Sequence, residues 1–272
     1  MVTFPNGKIN IGLQVLNKRA DGYHNIQTIF YPLPLYDVLE IIVAPGEEKE
    51  ITFSSLGLAI DALPSENICI KAYHLFKKNF PALPPVRMHL HKLIPMGAGL
   101  GGGSADAVCV LQLLNKKFSA NLSANEIKTL ASELGSDCVF FTQHEPCIGE
   151  GRGEILTPIK LDLSVYHLLL VYPGIHIKTA TAFAAIKPAK NQGDLKKIIQ
   201  LPIQEWKGLI KNNFEETVFP HHPALAAIKN SFYNAGALYA SMSGSGSSLY
   251  GIFEKGAKPL FNFPSQYFYK WM

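Results

Sequence analysis

Residues 94–114, IPMGAGLGGGSADAVCVLQLL, place five glycines within positions 97–103 and then turn into a run of strong helix formers. Glycine has no Cβ, so it admits positive φ and lets a ligand approach the main chain. A loop that opens directly into a helix also points unpaired N–H groups at whatever occupies its mouth, which favours an anion, most often phosphate. A tight strand-to-helix turn built for geometry alone is the alternative, but it needs only one or two glycines. Gly97, Gly99 and Gly102 spell the dinucleotide fingerprint G-x-G-x-x-G. That motif also wants an acidic residue about 20 positions on for the ribose, and KKFSANLSANE has none before Glu126. The P-loop lysine is missing too, since the glycines end in Ser104. The pattern therefore predicts a backbone phosphate cradle in some other fold.

The chain has 272 residues, 47% hydrophobic and 17% charged, enough for a sizeable core in one large domain or two smaller ones. Its formal net charge of +4 suits anionic small molecules. The lysines fall in scattered pairs, Lys77-Lys78, Lys116-Lys117 and Lys196-Lys197, without the basic stripe of a nucleic-acid binder. MVTFPNGKIN lacks the pattern of a signal peptide, and the apolar run around HLLLVY is too short to span a bilayer. No nucleic-acid or membrane partner is expected, and the expected location is cytoplasmic. Cys69, Cys109, Cys138 and Cys147 have no metal-ligand spacing, which predicts reduced, mostly buried thiols and neither disulfides nor a structural zinc.

Hydrophobic periodicity predicts a mixed α/β chain. In KINIGLQVLN, Ile9, Ile11, Leu13 and Val15 alternate with polar or small residues, the signature of a half-buried strand with Lys8 and Asn10 on its other face. VRMHLHKLIP reads as a second strand running into Pro95, with His89 and His91 on its polar face. Helices are predicted from about Ser104 to Leu114 and from the capping box of Ser123 with Glu126 to a stop at Gly135. SVYHLLLVYPGIHI reads as a buried strand ended by Pro173-Gly174, PALAAIKNSFYNAGA as helical, and SSLYGIF as a strand after SMSGSGSS. The turn-rich EPCIGEGRGEILTP is the expected boundary, giving domains of residues 1–152 and 153–272.

Three ordered motifs carry a resemblance. PMGAGLGGGSADA resembles the P-x-x-x-G-L-G-S/G-S-[SA]-A phosphate loop of the GHMP small-molecule kinases, and both PNGKINIGLQVLNKRADGYH and MSGSGSSLYGIF fit the same superfamily. RADGYH after K-I-N is most similar to the members that act on a cytidine-diphosphate polyol. The matches run from about residue 5 to residue 253, nearly the whole chain. The resemblance implies a mixed α/β (α+β), two-domain GHMP kinase fold whose front half contains a left-handed βαβ unit. It also implies ATP and Mg²⁺ as cofactors and cytidine-diphosphate methylerythritol as small-molecule substrate. The expected assembly is a monomer or homodimer.

Phosphoryl transfer needs held phosphates, an aimed hydroxyl, a proton acceptor and positive charge where negative charge gathers. Pro95, Gly97, Gly99, Leu100, Gly101, Gly102, Gly103 and Ser104 match the phosphate loop, with the Ser104 hydroxyl either meeting phosphate or Mg²⁺ or capping the helix. The resemblance makes Lys8 and Asp137 the catalytic pair. Read alone, Lys8 is a solvated strand lysine or a substrate ligand beside Asn10, and Asp137 in ELGSDCVFF is a helix cap or a base. An ammonium beside a carboxylate favours its charged, proton-accepting form. Cys138-Val139 replace the Val-Pro usual in the family motif G-[AS]-D-[VI]-P-F-F, which touches the local turn. The resemblance further implies Tyr23, His24, Thr179 and Phe183 around the cytidine end, Asn10 at the substrate, and Asn67 and Lys92 near adenine. The residues alone allow Phe183 to be the apolar face of a helix, and SMSGSGSS to be either a plain turn or a loop that closes over phosphates. Another GHMP kinase, for mevalonate or homoserine, is the alternative that RADGYH opposes. A silent nucleotide-binding regulator on the same fold is the alternative that retention of Lys8 and Asp137 opposes.

Overall fold

Alternation from Lys8 onward does produce a strand, but one covered on both sides. In the computed structural model, which describes residues 1–60, 63–186, 188 and 193–272, β2 spans Asn6–Lys18 after the short β1 (Val2–Thr3), and it is buried from Asn6 through Val15. The expected open polar face is absent because its side chains find partners: Lys8 pairs with a carboxylate, Asn10 donates to Thr28 Oγ1, and Gln14 donates to a main-chain carbonyl. Buried polar groups persist only when so satisfied.

The chain continues through β3 (His24–Tyr36), β4 (Val38–Val43), β5 (Ile51–Gly57), α1 (Ile68–Asn79), β6 (Val86–Lys92), α2 (Gly102–Lys117) and α3 (Ala124–Leu134). A 3₁₀ turn at Ser136–Thr142, β7 (Cys147–Glu150), β8 (Ile155–Pro158), β9 (Tyr166–Tyr172), α4 (Thr179–Ala185) and α5 (Leu195–Ile198) follow. After a second 3₁₀ turn at Ile203–Glu205 come α6 (Phe214–Val218), α7 (Pro223–Asn234), β10 (Tyr239–Met242), β11 (Leu249–Glu254) and β12 (Phe268–Trp271). The described strands form sheets in the orders β1-β4-β6-β5, β2-β3-β7-β8 and β10-β11-β9-β12.

Two compact units result: residues 1–8, 32–96 and 101–144 form the first, and residues 9–31, 97–100 and 145–272 the second. The chain is thus not divided by one cut of the kind expected after Arg152. The glycine-rich stretch read as a boundary is the hairpin β7-β8, paired through Thr28–Phe30 to β3. Gly149 is needed there because a Cβ would stand 2.4 Å from the Phe30 ring.

In the first unit, β5 and β6 are parallel and joined through α1, while β4 pairs antiparallel with β6. Helix α2 packs on α1, β4 and the 3₁₀ turn. Its Ala105, Ala107, Val108, Val110, Leu111, Leu113 and Leu114 are all buried, as expected of a helix enclosed on most sides. The predicted capping box is present: Ser123 accepts from the Glu126 N–H, Glu126 accepts from the Ser123 N–H, and Gly135 closes α3. In the second unit, Val15, Leu169, Val171, Phe214, Leu225, Phe232 and Phe253 share one core. All four cysteines are buried.

Candidate active site

Strand β6 delivers the chain to the glycines, and α2 receives it on the far side. Gly101 is the N-cap of α2 at φ 69°, a left-handed conformation that a side chain strains, and it offers no side chain to occupy the helix mouth. The N–H groups at the start of α2 are therefore the kind that bind anions. A Cβ on Gly101 would stand 2.7 Å from the Phe141 ring and 3.1 Å from Lys8 Cε, so the lysine stem runs directly past this turn. Gly103 differs, because a Cβ there would meet only Ile68, at 3.7 Å.

Lys8 Nζ lies 3.2 Å from Asp137 Oδ2, with the lysine side chain 3% exposed and the carboxylate 43%. Asp137 belongs to the first turn of the 3₁₀ segment and makes no capping bond, so the cap reading of this residue fails. That turn forms without the family's proline, with Cys138 and Val139 both buried. Burial pushes the Cys138 thiol up to about 11, opposed by a hydrogen bond with the Ser104 side chain. Ser104 lies inside α2, past its N-cap, so it is no cap either. The first unit thus gathers Lys8, Asp137, Ser104 and the glycine turn of α2.

Two other residues expected at the nucleotide prove to be engaged within the protein. Asn67 caps α1, its amide oxygen accepting from the N–H of Cys69 at 2.9 Å and of Ile70 at 3.4 Å. Lys92 does not present its ammonium to a ligand as expected. It is buried against Asp37 and Asp106, 2.7 Å from the latter. Burial alone would lower its pKa, but the Asp106 and Asp37 carboxylates outweigh that and hold it above the usual lysine range. Burial pushes Asp106 up to about 7, with Lys92 pulling down and Asp37 pushing up. Asp37 and Asp106 escaped the sequence reading, although an acid enclosed by apolar neighbours, as in LYDVL and SADAVCV, is a usable signal. Pro95 is buried just before the glycines.

In the second unit, the RADGYH turn is held by Arg19, whose guanidinium grips Asp21, while Asp21 accepts from the Tyr23 N–H at 3.1 Å. That hydrogen bond with Arg19 is the chief cause holding the Asp21 carboxyl below its usual range. His24 stacks on Phe183 of α4 with ring centroids 5.2 Å apart and planes at 16°, and Phe183 meets Phe214 edge-on at 4.8 Å. Tyr23 is 56% exposed, with the Arg152 guanidinium 5.1 Å from its ring centre. Thr179 opens α4, its hydroxyl 3.0 Å from Ser245 Oγ. Asn10 is buried: Ser243 Oγ accepts from its N–H at 3.1 Å and donates to the Gly99 carbonyl at 2.8 Å. Ser248 N–H donates to Ala98 O, and Leu100 is fully buried. The Gly/Ser loop of residues 243–248 therefore grips residues 98 and 99, a role the sequence did not reveal. Gly97 lies beneath the His176 ring, 2.5 Å from where its Cβ would stand.

The bare helix mouth with an adjoining Lys–Asp pair, on this topology, defines a small-molecule kinase of the GHMP class. The family models for the GHMP kinases N terminal domain and GHMP kinases C terminal match residues 67–144 and 189–269. The chain is 48% identical over 254 residues to the 4-diphosphocytidyl-2-C-methyl-D-erythritol kinase of Bacteroides thetaiotaomicron, covering 93% of this chain and 92% of that one. It is 47% identical over 266 residues to the same-named kinase of Azobacteroides pseudotrichonymphae, covering 97% and 98%. A crystal structure of 4-(cytidine 5'-diphospho)-2C-methyl-D-erythritol kinase superposes with TM-score 0.78 at 29% identity, over 93% of this chain and 90% of that one. The mevalonate kinase of Methanococcus jannaschii, at 16% identity and TM-score 0.70 over 94% and 92%, shares the fold. The chain belongs to the 4-diphosphocytidyl-2-C-methyl-D-erythritol kinase family of ATP-dependent GHMP kinases.

Proposed function

We propose that the chain transfers the γ-phosphoryl group of ATP to the 2-hydroxyl of 4-diphosphocytidyl-2-C-methyl-D-erythritol, a step of the non-mevalonate isoprenoid pathway. The observation that carries the reading is the Lys8–Asp137 pair, 3.2 Å apart, with the lysine stem against Gly101 at the mouth of α2. Asp137 accepts the hydroxyl proton as that oxygen bonds to the γ-phosphorus. The bond from the γ-phosphorus to the bridging oxygen breaks, and its electron pair leaves with ADP. Lys8 orients the hydroxyl and offsets the negative charge that gathers during transfer. The N–H groups at the start of α2 hold the nucleotide phosphates, with Gly97 and Gly99 as further parts of the loop. Retention of this ion pair favours the kinase over a silent regulator on the same fold.

Mg²⁺ fits the donors present as an ion carried by the nucleotide. No cluster of three His, Cys, Asp or Glu side chains occurs among the described residues, and Mg²⁺ commonly binds through substrate phosphates, water and one or two protein oxygens. The Ser104 hydroxyl and the Asp137 carboxylate are the oxygens proposed to face it. When bound, the ion supplies charge neutralisation at the phosphates.

The cytidine end is assigned to His24 and Phe183, with Tyr23 and Thr179 as polar and edge contacts. Rings 5.2 Å apart leave no space for a third ring between them, so the cytosine extends this stack on an outer face. No described helix is long and apolar enough to cross a membrane, and the reading includes a cytoplasmic setting.

A coupled ADP-release assay over a panel of alcohols tests the assignment. The cytidine-diphosphate substrate is expected to be turned over readily, and unlinked methylerythritol phosphate, mevalonate and homoserine are not. Efficient phosphorylation of mevalonate or homoserine would overturn the substrate while leaving the kinase class intact.

A further inference from the structure

Beneath the helix mouth lies a group of charges that touches no proposed ligand. Asp37, at the junction of β3 and β4, is wholly buried. Its Oδ1 accepts from the N–H groups of Leu93 at 2.5 Å and Ile94 at 2.8 Å, the two residues that leave β6 toward the glycines. Its Oδ2 takes the Lys92 ammonium, which also donates to Asp106 Oδ2 in α2 at 2.7 Å. That ammonium lies 2.9 Å from where a Cβ on Gly102 would stand, so it fills the space under the first residue of the helix. Asp106 Oδ1 has no hydrogen-bond partner among the described residues, although the residue is 1% exposed.

Burying three charges, one oxygen of them unsatisfied, is a poor way to gain stability, since apolar side chains of similar volume commonly do as well or better. What the ion triad does provide is direction. One end fixes two main-chain N–H groups where β6 ends, the other holds the second turn of α2, and Lys92 joins them. An apolar contact has no preferred direction, whereas hydrogen bonds to charged groups fix distance and angle together.

We propose that Asp37, Lys92 and Asp106 are positioning residues for nucleotide binding, setting the direction in which the N–H groups of residues 101–104 meet the ATP phosphates. The proposal rests on the reading that those N–H groups hold phosphate. It gives Lys92 a function through the main chain in place of direct contact with the base.

Steady-state kinetics of Asp37→Ala, Asp37→Asn and Asp106→Leu, with thermal melts and Gly103→Val as a control, separate the possibilities. Asp37→Ala is expected to raise the KM for ATP by about tenfold, the scale on which small misplacements act, with the KM for the cytidine substrate within about twofold of wild type. Asp37→Asn keeps an oxygen for the Leu93 and Ile94 N–H groups but turns an amide N–H₂ toward the Lys92 ammonium, so it cuts the tie through Lys92 and is expected to keep most of the rise in KM for ATP. Should Asp37→Ala not fold, Asp106→Leu, which cuts only the tie to α2, carries the same expectation. A purely structural triad would lower the melting temperature and leave both KM values of the folded enzyme unchanged, and that result overturns the proposal. An unchanged KM for ATP in Gly103→Val would remove the phosphate reading and the proposal with it. A raised KM in Gly103→Val with none in the triad variants would defeat the proposal alone.

Discussion

Around Lys8 and Asp137 the side chains are charged and fixed by an ion pair beside bare main chain, the lysine buried and the carboxylate open to solvent. Around His24 and Phe183 they are rings in face contact, backed by Phe214 and partly open to solvent. The first arrangement has little freedom to adjust, as suits chemistry in which charge moves between atoms a few ångströms apart. The second gains contact area with little directional demand, as suits holding a flat base remote from the reacting atoms. The two groups should therefore fail differently, the first in turnover and the second in substrate affinity and choice.

The largest effect is expected at the ion pair. Asp137→Asn keeps the shape and removes the proton acceptor, and general bases are typically worth about 10²–10⁴ in rate, so kcat should fall by that order. Lys8→Met should also lose turnover, since the charge that offsets the transferring group is gone. Near-normal turnover in either variant, measured by ADP release, would break the contrast at its charged side.

Next is the helix mouth. Gly101→Val would strike Phe141 and the Lys8 stem, so it cannot separate binding from folding. At Gly103 an added Cβ meets only Ile68, at 3.7 Å, so Gly103→Val is the milder change. It should lose a hydrogen bond to a charged group, about 1.5–3 kcal/mol or roughly tenfold and more in the KM for ATP, with a melting temperature close to wild type. Unchanged affinity for ATP would remove the phosphate cradle.

At the rings, Phe183→Ala should lose roughly 1–3 kcal/mol of base contact, seen as a raised KM for the cytidine substrate with ATP affinity unmoved. His24→Ala should have the smaller effect of narrowing the preference for cytosine over uracil, which competition between the two diphosphate substrates measures. An equal loss of ATP affinity in these variants would erase the division of labour.

A smaller effect, on stability, lies under the helix. Asp106 has a folded pKa of about 7, raised from 3.8, so its contribution is fully present below about 3.8 and is lost as pH rises through 7. Across that window the wild-type melting temperature should fall relative to that of Asp106→Asn, which cannot titrate there. Parallel profiles would mean Asp106 stays ionised in the folded chain.

The elements that short-range rules govern were legible in the sequence. The capping box of Ser123 with Glu126, the strand after Lys8 and the glycine turn into α2 each arise from neighbours within a few residues. Burial was not legible, because it depends on which distant segment covers a face. Lys8 and Asn10 looked solvent-facing until Asp137, Thr28 and Ser243 met them. The hairpin at Cys147–Pro158 read as a boundary because its glycines resemble a linker, whereas Gly149 is there to admit the Phe30 ring. The resemblance implies Lys92 near adenine, yet its charge is committed to Asp37 and Asp106, 55 and 14 residues away.

Asp137 is proposed to work on the reacting hydroxyl and to contribute little to holding the substrate. Titration of the cytidine-diphosphate substrate into Asp137→Asn in the presence of a non-hydrolysable ATP analogue, beside the turnover assay, tests this directly. The dissociation constant is expected to stay within about threefold of wild type while kcat falls by about 10²–10⁴. A loss of affinity as large as the loss of rate, or a rate that survives, would contradict it.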